Sequence, residues 1–351
     1  MNAPITPARH REFPLAAAAY QATNTTLTLL DTEPALQALQ PEWQALWARL
    51  PNTTPFASPA WLLPWWHQFG TPNPRVATAR RNGRLVGILP LYQLDEPGSR
   101  KLLPIGAGIT DFLDALLEEK TDAAPLLDLA LARARTDKID ACDLIDIPPG
   151  SALHAVAPEG WHAHWSDGAT CPVLTLPATN LVGAIPAQTL RKLRMNRNRA
   201  ERAGGYTVEV ATPGTAAPML ETLIRLHQAR WTAQGHPGVL ADPAVLTQLH
   251  EAAPALLATG ALRLATLHHA GTHAAACLTL LAGPDRILFY LSGFDAAQAA
   301  ISPGTLLLAH LLEQAIAEGR TEANFLRGNE PYKYAWGAKD RPNRTLHLTP
   351  A

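Results

Sequence analysis

The sequence lacks the features that mark a membrane protein or a disulfide-bonded secreted protein. No stretch approaches the roughly 18–20 consecutive apolar residues that a membrane-spanning helix needs. The three cysteines, Cys142, Cys171 and Cys277, are far apart and form no Cys-x-x-Cys pair, which argues against a disulfide framework and a zinc knuckle. We therefore expect a cytoplasmic protein with no membrane span and no metal site.

Charge is scarce and almost balanced. Charged residues make up 17% of the 351 residues, and 29 Lys and Arg stand against 30 Asp and Glu. This balance excludes a globally basic nucleic-acid binder but is compatible with a local basic patch. The apolar share of 47% excludes a disordered chain, and the length suits two domains of about 150–200 residues each.

The N-terminal segment carries one short apolar run, at residues 15–20, after Arg9 and Arg11. A signal-peptide core needs about 7–15 apolar residues. We therefore expect this segment to be a loose tail rather than a leader.

Apolar periodicity and turn residues predict alternating strands and helices in the C-terminal half. The predicted strands lie at 206–211, 262–266, 274–281, 287–291, 323–326 and 345–348, and the helices at 220–231, 243–258, 303–319 and 332–336. The order of elements is β-α-α-β-β-β-α-β-α-β.

The N-terminal half shows nearly the same order without obvious sequence identity. Its predicted strands lie at 26–30, 76–79, 85–92, 102–105, 143–147 and 173–176, and its helices at 35–50, 59–69 and 123–135. The same order twice predicts two copies of one α/β unit. We place the boundary between domains 1–177 and 178–351.

One segment of the C-terminal half has the form of an anion site. A buried strand ends at Gly293, and a loop leads from it to a helix that begins Ser302-Pro303-Gly304-Thr305. Free backbone N–H groups and small residues at a helix start favour an anion, although Ser-Pro is also simply a good helix start. The segment contains neither Gly-x-Gly-x-x-Gly nor a Gly-Lys-Ser/Thr loop, which argues against a dinucleotide or a nucleoside triphosphate.

Four segments taken in this order carry a resemblance to a known family. They are His227-x-x-Arg230-Trp231, Phe289-Tyr290-x-Ser292-Gly293-Phe294-Asp295, Ser302-Pro303-Gly304, and Phe325-Leu326-Arg327-Gly328-x-Glu330-Pro331-Tyr332-Lys333-Tyr334-x-Trp336-Gly337. They resemble the branch of the Gcn5-related N-acetyltransferase (GNAT) superfamily that is associated with cellulose and exopolysaccharide biosynthesis. That branch is similar in turn to the Fem-type aminoacyl-tRNA-dependent peptidyltransferases, which pair two such domains.

The resemblance implies tandem acyl-CoA N-acyltransferase folds, each with a mixed, mostly antiparallel sheet flanked by helices. It implies that Tyr290, Ser292 and Gly293 grip the pantetheine arm of an acyl-CoA and polarise its thioester carbonyl. It also implies that the helix start holds the pyrophosphate, through Ser302, Pro303, Gly304 and Thr305. The superfamily's commoner Arg/Gln-x-x-Gly-x-Gly/Ala turn is replaced here by Ser-Pro-Gly.

Aminolysis of a thioester needs a base for the amine and an acid for the leaving thiolate. Glu330 is the candidate base, and the resemblance implies that Tyr334 or Tyr332 is the acid. His227 is a second candidate base, with Arg230 one turn away. The alternatives are aromatic packing for the tyrosines, a structural role for the histidine, and an Arg327–Glu330 ion pair that only fixes the loop.

A basic run precedes the C-terminal motifs. Its six cations are Arg191, Lys192, Arg194, Arg197, Arg199 and Arg202. Because helical spacing spreads them around most of the circumference, a solvated helix is the default. The alternative is contact with a polyanion such as tRNA, the phosphates of coenzyme A or an anionic glycan.

Together these features predict an N-acyltransferase. It would move an acyl group from acyl-CoA to the primary amine of an amino sugar, an amino acid or a polysaccharide precursor. Direct attack is expected, because no cysteine lies in a motif typical of a covalent nucleophile. The C-terminal copy would hold the donor and the N-terminal copy would shape the acceptor cleft. Two alternatives stay open: an aminoacyl-tRNA donor, and a non-catalytic protein that binds a glycan or a partner.

Overall fold

The computed structural model describes residues 25–351, so the predicted tail at 15–20 lies outside the described residues. The first of two sheets contains eight strands within this range. Their order is β1 (Thr25–Leu30), β2 (Pro74–Arg81), β3 (Arg84–Glu96), β4 (Ser99–Pro104), β6 (Ala141–Ile147), β14 (Pro342–Pro350) and β7 (Trp161–Thr170), with β5 (Leu116–Leu117) paired to β3.

The second sheet repeats the strand order of the first. It runs β9 (Thr207–Val210), β10 (Leu262–His269), β11 (Thr272–Ala282), β12 (Arg286–Phe294), β13 (Glu322–Asn324) and β8 (Val173–Thr175). In the described residues, β4 with β6 and β12 with β13 are parallel, and the other strand pairs are antiparallel. The prediction of two mixed, mostly antiparallel sheets is confirmed.

Helices cover the sheets, as the apolar periodicity predicted. The first half contains α1 (Glu33–Ala38), α2 (Gln40–Arg49), α3 (Pro59–Phe69) and α4 (Ala123–Thr136), and the second half α5 (Ala187–Arg202), α6 (Ala216–Ala233), α7 (Pro243–Ala258), α8 (Pro303–Ala317) and α9 (Pro331–Ala335). The helix predicted at 35–50 is two helices, because Pro41 has no N–H to continue α1. Within the described range, every helix is too short or too polar to cross a membrane.

The two sheets exchange their sixth strands. β14, from the C-terminal end, lies between β6 and β7 in the first sheet, while β8, from the first half, pairs with β13 in the second. The strand predicted at 345–348 therefore exists but does not complete the C-terminal half. Leu346 and Leu348 alternate along β14 and are fully buried in the core of the first half, which fixes this strand there. The boundary at 177 stays a prediction.

A shared apolar core joins the halves. Residues of α3, with Trp61, Trp65 and Trp66 buried, belong to the same cluster as residues of α6 and α7. Because α3 packs directly on α7, the relative placement of the halves is held by apolar burial.

One half-buried carboxyl of the first half makes stability pH-dependent. Asp114 Oδ1 accepts hydrogen bonds from Ser151 Oγ (2.6 Å) and the Ala115 N–H (2.8 Å), and burial raises its pKa to about 6. Because the folded-state pKa is raised, the stabilisation is complete below about pH 4 and is lost as the pH rises through 6.

We therefore expect Asp114→Asn, whose amide oxygen can accept the same two bonds, to remove this loss. At pH 8 the variant should be more stable than the wild type, by on the order of 2–3 kcal/mol in urea unfolding. At pH 4 the two should be equal. The exposed Asp128→Asn on α4 is the control and should change nothing; an equal effect at both pH values would contradict the assignment.

Candidate active site

A cavity of about 860 Å³ lies at the junction of the halves, where β12 and β13 separate. β13 pairs only with the first three residues of β12, Arg286 to Leu288. The remainder of β12 runs on along the cavity wall. Eleven of the twelve candidate site residues named from the sequence line this cavity: Tyr290, Ser292, Gly293, Ser302, Pro303, Gly304, Thr305, His227, Arg230, Glu330 and Tyr332.

β12 bulges beside the cavity. Leu278 pairs with Leu291 and Thr279 with Phe289, so Tyr290 is an extra residue in the strand. Its ring packs edge-on against Phe56 and Trp61, and its hydroxyl donates to the Ile109 carbonyl at 3.0 Å. The side chain of Tyr290 thus anchors the strand to the first half, which leaves the backbone of the bulge to meet a ligand.

The start of α8 offers fewer free donors than the sequence suggested. Ser302 adopts a left-handed conformation with φ of 55°, and its carbonyl accepts from both the Thr305 and Leu306 N–H groups. Proline has no N–H, so Gly304 supplies the one unbonded N–H among the first four residues of the helix. The hydroxyls of Ser302 and Thr305 complete a small set of donors.

The two glycines of the predicted donor site have different reasons to be glycine. A Cβ on Gly293 would lie 2.4 Å from the backbone nitrogen of His227, so glycine lets α6 cross directly against β12. A Cβ on Gly304 would meet Phe294 at 3.4 Å, an ordinary contact. Gly293 is therefore required for helix packing, whereas α8 would accept a small side chain at position 304.

His227 and Arg230 project from α6. The imidazole is 4% exposed, and its Nε2 accepts the indole N–H of Trp231 at 3.0 Å. Burial and the neighbouring Arg230 lower the pKa of His227 to about 4. The Arg230 guanidinium lies over the ring of Phe294, with Cζ 5.3 Å from the ring centroid.

Lys333, which sequence reasoning missed, organises the loop that carries Glu330. Its side chain is buried, and Nζ donates to the carbonyls of Leu326, Arg327 and Gly328 at 2.8–3.1 Å. The same Nζ lies 2.9 Å from Glu330 Oε2. A Cβ on Gly328 would lie 2.6 Å from that oxygen, so the glycine gives the carboxylate room.

The two candidate acid tyrosines have separate environments. Tyr332 lines the cavity with 39% of its surface exposed, and burial of its hydroxyl raises the pKa of that group. Tyr334 lies outside the cavity lining, is exposed, and donates to Asp340 Oδ1 at 2.7 Å. Residues two positions apart on a helix point to nearly opposite sides, so Tyr332 faces the cavity and Tyr334 does not.

The Arg327–Glu330 ion pair, which was the alternative to a catalytic Glu330, does not form among the described residues. Arg327 instead pairs with Asp111 of the first half and donates to the carbonyls of Gly108 (3.2 Å) and Thr110. Asp111 is 3% exposed. Burial raises the pKa of its carboxyl, and the guanidinium opposes that shift. No local pattern in the sequence links residues this far apart, so the pair was missed.

Comparisons with known proteins agree with this geometry. Residues 187–334 match the acetyltransferase (GNAT) domain family. The matched segment lies wholly within the second half and is similar to a GNAT domain. This match points to an acyltransferase, and it covers every residue of the cavity wall that the second half contributes except Trp336. No curated protein matches the chain in sequence.

Solved structures share the fold of the whole described chain, both halves included. FemX aligns with a TM-score of 0.64 at 14% identity, over 88% of this chain and 95% of its own. The C-terminal domain of a putative lysylphosphatidylglycerol synthetase from Agrobacterium fabrum gives 0.57 at 14% identity, over 90% and 93%. L-PGS from Bacillus licheniformis gives 0.56 at 14% identity, over 87% and 90%. At these identities the likeness shows the fold alone, and the exopolysaccharide branch stays a prediction.

We expect Arg327→Met to destabilise the protein by about 3–5 kcal/mol, because it leaves the Asp111 carboxylate buried without a partner. The double variant Asp111→Asn/Arg327→Met should recover most of that loss, since no charge is then left unpaired. Urea unfolding of the two single variants and the double variant measures the coupling. Additive losses would show that the pair does not tie the halves together.

Proposed function

We propose that the protein transfers an acyl group from an acyl-CoA to a primary amine. The observation that carries the proposal is the opening between β12 and β13 within a GNAT domain, with the bulge at Tyr290 on its wall. An extended pantetheine arm would lie along the free side of β12. The amine would enter past Gly108 and Ile109 of the first half, which line the same cavity. Amino sugars, amino acids and polysaccharide precursors are the proposed acceptors.

Glu330 is the proposed base and Tyr332 the proposed acid. The amine nitrogen attacks the thioester carbonyl carbon, the new C–N bond forms, and the amine proton passes to the Glu330 carboxylate. The tetrahedral intermediate collapses with loss of the C–S bond, and the thiolate takes the proton of the Tyr332 hydroxyl. A tyrosine hydroxyl carries its proton at neutral pH, and Lys333 holds the base in place.

Direct attack is favoured over a covalent cysteine intermediate. Cys277 lines the cavity, but burial raises the pKa of its thiol to about 12. The thiolate is the nucleophilic form, so this cysteine is unreactive at neutral pH.

A second candidate donor is aminoacyl-tRNA, favoured by the basic face of α5. We define this face as the five exposed cations Arg191, Lys192, Arg194, Arg199 and Arg202. At about 100° per residue they fall within an arc of roughly 160°, and the sixth cation, Arg197, is paired with Glu313. Arg199 donates to the Ala300 carbonyl at 2.6 Å, so the face reaches the loop before α8. A phosphodiester chain could follow it to the cavity.

The donor is tested by binding. Acetyl-CoA, a longer acyl-CoA and free coenzyme A are titrated against the wild type, and the shift in thermal unfolding is measured; a ligand at 100 times its Kd adds about 2.7 kcal/mol of stability. Gly304→Glu should abolish the shift by placing bulk and negative charge at the only unbonded N–H of the helix start. The matched Gly304→Ala should keep it, because a methyl group fits there.

If none of the coenzyme A derivatives shifts the thermal unfolding, the acyl-CoA proposal is overturned. A band shift with aminoacyl-tRNA, lost when Arg191, Arg194 and Arg202 are changed to Gln, would then support the second donor. If neither donor binds, the remaining alternative is a non-catalytic role.

Turnover tests the two proposed catalytic residues. Glu330→Gln should lower kcat by about 10²–10⁴-fold and Tyr332→Phe should also lower it, with donor binding unchanged in both. Tyr334→Phe should leave kcat unchanged, because its hydroxyl is bonded to Asp340 outside the cavity lining. The exposed Glu159→Gln is the control for the base. Loss of activity in Tyr334→Phe with full activity in Tyr332→Phe would reverse the assignment of the acid.

A further inference from the structure

The α6 wall of the cavity carries a buried hydrogen-bond donor that has no acceptor among residues 25–351. An indole N–H can only donate, so the bond from Trp231 requires His227 Nε2 to be unprotonated. A neutral imidazole with unprotonated Nε2 carries its hydrogen on Nδ1. That Nδ1 is buried and has no hydrogen-bond partner within residues 25–351.

This arrangement does not suit the role of base that the sequence suggested for His227. The lone pair of Nε2 is occupied by the indole N–H, and Nδ1 already carries a proton. A neutral ring whose N–H has no acceptor in the described chain can donate a hydrogen bond but has no free site to take up a proton.

Arg230, one turn further along α6, is a second donor without a protein partner. Among the cations of the described chain that line the cavity, Arg327 is paired with Asp111 and Lys333 with Glu330, whereas Arg230 has no carboxylate partner. Its guanidinium lies over Phe294, and Phe294 in turn borders Gly304 at the start of α8. The charge of Arg230 is therefore the uncompensated charge of the described cavity wall.

An unsatisfied buried donor costs about 1–3 kcal/mol. Packing alone gives no reason to bear that cost, because an apolar ring would fill the same space. The cost disappears if a ligand supplies the acceptor. A neutral N–H beside an unpaired guanidinium matches an oxygen group that carries negative charge.

We propose that His227 Nδ1–H and the Arg230 guanidinium form a subsite for a phosphate or carboxylate group of a substrate bound in this cavity. Trp231 is a positioning residue, since it fixes the tautomer that places the hydrogen on Nδ1. The inference rests on the proposed function, because it takes the cavity to be the substrate site. The anionic group belongs either to the acyl donor, as a phosphate, or to the amine acceptor.

Binding measured without turnover separates these sources. Calorimetry compares coenzyme A with pantetheine, which lacks the phosphates, and free amino acids with their amides. His227→Phe and Arg230→Met should weaken binding of the charged member of one pair by at least about tenfold and leave its uncharged member unchanged. His227→Asn keeps an N–H near the position of Nδ1 and should restore most of the affinity that His227→Phe loses.

A loss confined to coenzyme A assigns the anion to the donor, and a loss confined to free amino acids assigns it to the acceptor. Equal affinities in wild type and variants for all four probes would overturn the subsite. If coenzyme A fails to bind the wild type, the proposed acyl-CoA donor fails, and the amino-acid pair still tests the subsite.

A spectroscopic measurement tests the tautomer even if a variant folds poorly. In wild-type protein labelled with ¹⁵N-histidine, the His227 signals, identified by their loss in His227→Asn, should show the hydrogen on Nδ1 at pH 7. Trp231→Phe should shift them toward a mixture of tautomers. A hydrogen on Nε2 in the wild type would overturn the proposal.

Discussion

The ion pair between Arg327 and the buried carboxylate of Asp111 connects the two halves across the cavity. Arg327 follows β13, the strand that separates from β12, and Asp111 belongs to the loop of the first half that closes the opposite wall. The side-chain amide of Asn343 on β14 donates to the Asp111 backbone carbonyl at 2.8 Å, so the exchanged strand contacts the same loop. Because the Asp111 carboxylate is buried, it needs the Arg327 guanidinium in place, which makes the cavity depend on the contact between the halves.

The turn that follows Arg327 also positions the proposed base, Glu330. The Lys333 ammonium donates hydrogen bonds to three carbonyls of this turn, those of Leu326, Arg327 and Gly328. Leu326 adopts a left-handed backbone conformation with a φ of 56°. A non-glycine residue held in that region stores backbone strain, and the ammonium group offsets it by satisfying the carbonyls. Glu330 is therefore held by the turn as well as by its contact with the ammonium.

The sequence was informative where structure is set locally. Two helices were predicted to the residue: α7, which begins with proline after an aspartate, and α3, which begins with proline. The predicted cavity residues all lie in the motif-bearing part of the C-terminal half. The partners of Arg327, the place of β14 and the polar strand β7 depend on contacts between distant segments, which leave no periodic pattern. His227 was found as a residue, but its tautomer requires knowing that the Trp231 indole points at its ring.

The exchange of β8 and β14 also constrains how the chain can acquire its structure. β7 hydrogen-bonds within its sheet to β14, which is synthesised after every other described strand of the two sheets. Until β14 has been made, the first sheet lacks the strand that lies between β6 and β7, and such open edges can pair with strands of other chains. The N-terminal half thus cannot finish folding ahead of the C-terminal half, in contrast to the domain-by-domain order usual for chains of this size. The first sheet, although it begins with the earliest described strand, is therefore completed after the second.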